Sequence, residues 1–213
     1  QIRDNREMAA ERPGPGPLAR AASQVALAPE TLERRRAAAC PLVGRKAVVA
    51  ELLEEWSQAQ GGQGRLVAVT GEAGVGKSRL LEELISTLSD DVAILLGRCH
   101  ESTIAEPYGP LVGALRCALP AGDVHGLDLS PVWRREIARL VPELEDCASS
   151  TGSGPLDGVR DRERLFEGVR AFLTALAARR PVLLVVEDVH WSDETSLSLV
   201  HSIAREPRTP RLM

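Results

Sequence analysis

Leu66-Val67-Ala68-Val69-Thr70 runs directly into Gly71-Glu72-Ala73-Gly74-Val75-Gly76-Lys77-Ser78, which leads to Leu80, Leu81, Leu84, Ile85 and Leu88 at helical steps. The first block is a short apolar run that predicts a strand buried on both faces, and the last has the period of an amphipathic helix. Between them, glycines let the backbone curl so that successive N–H groups face one concavity, to which the following helix adds its positive N-terminal end. An anion belongs there. The spacing fits G-x-x-x-x-G-K-[ST], in which Lys77 reaches the β and γ phosphates as a point charge. The Ser78 hydroxyl takes one position of an octahedral Mg²⁺ that keeps several waters.

A phosphate loop needs an acidic partner delivered from the carboxyl end of a neighbouring parallel strand. Val182-Leu183-Leu184-Val185-Val186 runs straight into Glu187-Asp188 and supplies one. Glu187 is assigned to the magnesium side, usually through a coordinated water, and Asp188 to orienting or deprotonating the attacking water. The competing reading is that two acids after a buried strand simply cap the next turn.

Working outward, Val49, Leu52, Leu53 and Trp56 share one helical face before Gly61-Gly62-Gln63-Gly64 breaks it. A second strand is expected at 92–96, with helices at 110–119 and 131–144 and an exposed loop at 149–158. Leu165, Val169, Phe172, Leu173 and Leu176 mark an amphipathic helix over 159–179, stopped by Pro181. Ser192 or Asp193 can cap a last helix through Ser202. Residues 1–40 show no apolar period and contain Pro13-Gly14-Pro15-Gly16-Pro17, so they read as a linker or disordered arm. Residues 41–213 read as one α/β domain, a parallel sheet with covered faces.

The formal net charge of −4 offers no field to draw in nucleic acid or an anionic membrane. No apolar run approaches the length of a membrane span. Cys40, Cys99, Cys117 and Cys147 lack metal or disulfide spacing, so reduced thiols in a cytoplasmic protein are expected; Cys99, His100, Cys117 and His125 could donate to zinc only without a recognised pattern.

Three stretches, LVGR at 42–45, GEAGVGKSRLLEEL at 71–84 and VLLVVEDVHWSDETSL at 182–197, resemble the ATP-binding domain of AAA-related and STAND signalling NTPases. Within these, the chain is most similar to the origin-recognition-type module of large LuxR-type transcriptional regulators. The resemblance implies a P-loop NTPase fold of ASCE-type strand order, truncated here before its sensor strand, which would begin near Arg211-Leu212-Met213 and insert between the two motif strands. It implies ATP and Mg²⁺ as cofactors and self-association in the ATP state. It also implies that Val43, Gly44 and Arg45 strap the adenine and ribose. The nucleotide-contacting set is then Val43, Gly44, Arg45, Gly71, Glu72, Ala73, Gly74, Val75, Gly76, Lys77, Ser78 and Arg79, with Ser78 and Glu187 toward the metal. Taken without the resemblance, 43–45 simply start a helix. His190 and Trp191 fall in the HW-x-D signature, as packing residues or as a relay of nucleotide state. One departure is that Glu precedes Asp where the related enzymes mostly begin with Asp, which points to slow hydrolysis. The expected activity is an ATP-driven signalling switch. A P-loop phosphotransferase, with Arg160, Arg162 and Arg164 as lid candidates, and a non-catalytic scaffold are the competing classes.

Overall fold

The computed structural model describes residues 44–101, 107–119, 126–144, 159–205 and 210–213. The expectations for 1–40, for the 149–158 loop, and for Val43, Cys40, His125 and Cys147 lie outside these residues. Helix α1 (Lys46–Gln60) presents Leu52, Trp56 and Ala59 to the interior. It ends in paired bonds, Gln63 N–H to Gln58 O at 3.1 Å and Gly62 N–H to Ala59 O at 2.9 Å, which satisfy carbonyls that a helix terminus otherwise leaves open. Helix α2 (Lys77–Thr87) follows the glycine loop and buries Leu80, Leu84 and Ile85. Strand β1 (Ala93–Arg98) leads to α3 (Gly109–Arg116) and α4 (Pro131–Ala138). A single 3-10 turn at Pro142–Leu144 completes the stretch expected as one helix over 131–144. The long helix α5 (Val159–Arg179), strand β2 (Val182–Glu187) and α6 (Glu194–Arg205) follow.

Strands β1 and β2 pair in parallel with Ala93 opposite Val182 and Arg98 opposite Glu187. Their alternating side chains divide the core. Ala93, Leu95 and Val182 face a cluster filled by Leu111 and Leu115 of α3, Ile137 of α4, Phe172 and Leu176 of α5 and Leu199 of α6. On the opposite face Ile94, Leu96, Leu183 and Val185 meet Leu52 and Trp56 of α1 and Leu80, Leu84 and Ile85 of α2. Helices therefore cover both faces, which is why the two strands read as unbroken apolar runs. Helix α3 lies directly on β1: a Cβ added to Gly97 would stand 2.1 Å from the Pro110 carbonyl oxygen.

One expected strand is corrected. Residues 66–70 form no strand among the described residues, and Leu66 is 69% exposed. Arg65 N–H donates to Leu212 O at 2.9 Å, and Leu212 forms a parallel bridge with Val182. Val182 N–H donates to Arg211 O at 2.8 Å and Met213 N–H to Val182 O at 3.0 Å. Segment 211–213 thus lies between Arg65 and Val182, and among the described residues 66–70 has no ladder partner. Val67 and Val69 are half-buried against the α1/α2 cluster while Leu66, Ala68 and Thr70 are exposed, so the run covers one face only and the expected burial on both faces is corrected together with the hydrogen bonding.

Candidate functional site

The glycine loop has the backbone that its composition foretells. Gly71, Gly74 and Gly76 have φ of 156°, 76° and 93°, left-handed values that a side chain resists. Gly76 is the N-cap of α2 and provides no side-chain cap, so the first-turn amides of that helix face the loop. Lys77 folds back across the loop: its Nζ donates to the carbonyl oxygens of Gly71 and Glu72, both at 2.9 Å. Ser78 is exposed in the first turn, as are Glu72, Ala73 and Val75 in the loop. Arg79 turns along its own helix to Glu82 and Glu83, each at 3.2 Å. Gly44 is exposed at φ 78°, and Arg45 is the N-cap of α1, its carbonyl accepting from Val49 N–H at 3.1 Å. The helix-start reading of these two residues therefore describes their observed geometry.

Glu187 ends β2 with its side chain 2% exposed. Arg98, its register partner on β1, donates to Glu187 Oε2 through Nη2 at 2.7 Å and Nε at 3.1 Å. Cys99 N–H donates to Glu187 O at 3.0 Å, extending the pairing to the carboxyl edge. Asp188 is exposed and left-handed (φ 57°), a conformation that Asp tolerates better than most residues, and it starts the short 3-10 turn Val189–Trp191. There the His190 and Trp191 rings lie tilted by 46° with their centroids 5.0 Å apart.

Asp193 is the cap of α6, accepting from Ser196 N–H at 2.8 Å and from the hydroxyls of Thr195 and Ser196. Burial works to raise its carboxyl, but those hydrogen bonds from Ser196 and Thr195 outweigh it and hold the pKa below the usual value. Burial pushes the Cys99 thiol up, the charges of Asp188 and Asp193 add to this, and a hydrogen bond with Ser192 opposes it. Cys117, also raised chiefly by burial, is held at α3. Among the described residues there is no cluster of three or more His, Cys, Asp or Glu that could hold a metal. A nucleotide-bound Mg²⁺ does not need such a cluster, since phosphate and water supply most of its shell. An exposed hydroxyl in the first turn and a buried carboxylate at a strand end are the donor types it takes from a protein, so the residues fit that group.

Arg98 is the residue that sequence reasoning passed over. The strand expected at 92–96 stops two residues short of it, and only the parallel register shows that a cation ends the strand beside the one that an acid ends. A basic residue two places after an apolar run, in a chain with an acid-terminated strand, was the available signal.

No solved structure matches the chain. An uncharacterized protein of Rhizobium meliloti (strain 1021) is 29% identical over 176 residues, which are 78% of this chain but 17% of that protein. The chain thus spans about a sixth of that relative's length. The family model described as AAA ATPase domain matches residues 41–213, from the helix-starting segment through the glycine loop and the Glu187-Asp188 strand end to the last residue, and the chain belongs to that family.

Proposed function

We propose that residues 41–213 form an ATP-binding, slowly hydrolysing switch module within a larger signalling regulator of the STAND type. One observation carries the nucleotide site: Lys77 spans a left-handed glycine loop at the N-terminus of α2, where uncapped amides and a fixed cation converge. The bonds that join Arg65, Leu212 and Val182 support an ASCE-type order in which the 211–213 segment separates the loop-bearing run from β2. In such an order one strand would lie between the two motif runs, and at about 5 Å per strand their ends would be roughly 10 Å apart, a span that a triphosphate and its metal can bridge.

In this reading the loop amides and Lys77 bind the phosphates, and Ser78 and Glu187 hold Mg²⁺, which when bound neutralises charge on the β and γ oxygens. Asp188, exposed on its left-handed turn, orients a water and takes its proton. Gly44 and Arg45 close over the base from the start of α1. The phosphotransferase class gains nothing from Arg160, Arg162 and Arg164, which are exposed on α5, with Arg164 paired to Glu136 at 3.0 Å.

Single-turnover hydrolysis tests the assignment. Asp188→Asn is expected to keep ATP affinity while lowering the hydrolysis rate by about a hundredfold, the usual weight of a general base. Unchanged turnover, or turnover that demands an added acceptor, contradicts it.

A further inference from the structure

The Glu187 carboxylate is nearly sealed, with 2% of its side chain exposed, and a carboxylate so enclosed is costly unless a positive charge attends it. Arg98 provides that charge in a specific way. Both of its bonds, from Nη2 at 2.7 Å and from Nε at 3.1 Å, end on the single oxygen Oε2. The Arg98 backbone is fixed by the β1–β2 register, but its side chain remains 30% exposed at the carboxyl edge of the sheet. Its root is anchored in the strand pair and its head borders solvent.

We infer that Arg98 and a divalent cation hold Glu187 in alternation, so that Arg98 sets how strongly metal tightens nucleotide binding. The inference rests on the reading of Glu187 as the magnesium-side acid. A guanidinium seated on Oε2 occupies the approach that a cation or its bound water needs, and two cations on one oxygen repel at short range. While Arg98 is seated, the buried carboxylate is neutralised and presents little repulsion to an incoming triphosphate. When metal arrives with the nucleotide, it takes over that neutralisation and the guanidinium moves out toward solvent. By linkage, whatever loosens the Arg98 contact strengthens the metal's hold by the same factor. Arg98 is a positioning residue here, acting through Glu187.

The test compares ADP affinity of the full chain in saturating Mg²⁺ with that in EDTA, by calorimetry, and reads the ratio of the two. Arg98→Ala is expected to enlarge that ratio by about tenfold, the low end of what close charge pairs are worth. Arg98→Lys, which keeps a charge but loses the planar fork and guards against a folding defect in the alanine variant, is expected to enlarge it by less. Adding Glu187→Gln to either variant should abolish the enlargement. An unchanged or smaller ratio in both Arg98 variants overturns the proposal, as does an enlargement that survives Glu187→Gln. Failure of the nucleotide site itself is distinguishable: Lys77→Ala would then leave ADP affinity in EDTA unaltered.

Discussion

Asp193 shows how a single carboxylate can organise the loop beside a site. Its two oxygens receive the Ser196 amide and the hydroxyls of Thr195 and Ser196, closing the first turn of α6 immediately after the His190-Trp191 segment. Replacing it with Ala is expected to cost about 1–2 kcal/mol in urea unfolding, the range of strong N-caps. The pH dependence follows from the sign of its shift. Its folded pKa lies below the ordinary 3.8, so the stabilisation is fully present above that value and is lost as pH falls through the lowered folded value. Stability measured from pH 6 down to about 2 should therefore decline less steeply in Asp193→Asn than in the natural chain. The cap was legible in the sequence, because Ser, Asp and Thr before an apolar helical stretch are cap chemistry. The Arg98–Glu187 contact was not, because it joins residues 89 positions apart and depends on a strand register that neither residue encodes alone.

Among the elements, those that carry their own periodicity were readable to within a residue or two: α5 over 159–179 and β2 from Val182. Elements defined by their neighbours were less so. Strand β1 runs on through Gly97 and Arg98 because Val186 and Glu187 lie opposite them, although Gly and Arg are weak strand formers. The 66–70 run has the composition of a strand but lacks a ladder, since backbone pairing is supplied by another segment and not by apolar character. Gly97 marks a close approach between layers. Gly97→Ala would drive a methyl against the Pro110 carbonyl oxygen, 2.1 Å away, and is expected to destabilise the fold by about 3 kcal/mol in chemical denaturation. Equal stability would mean that α3 does not sit directly on β1.

For the whole molecule, the division of apolar side chains between two faces of one short parallel sheet is the organising fact. Phe172, fully buried, fills the face away from the glycine loop, whereas α2 fills the other and so carries the loop at its leading end. Phe172→Ala is expected to cost about 3–5 kcal/mol of stability, measured by thermal or chemical unfolding. Because Phe172 lies in the opposite layer from α2, the affinity of the remaining folded protein for nucleotide should hardly change. The layered α/β class was legible from alternating strand and helix patterns. The position of 211–213 between Arg65 and Val182, seen in the hydrogen bonds, was expected from the family resemblance alone and from no pattern in the residues themselves. Everything functional rests on the loop that Lys77 spans, and calorimetry of Mg·ATP binding to the chain and to Lys77→Ala tests it most directly. The variant is expected to lose at least about tenfold in affinity, as when a phosphate loses a charge-assisted partner; equal affinity in the two proteins would mean that the loop does not bind the phosphates.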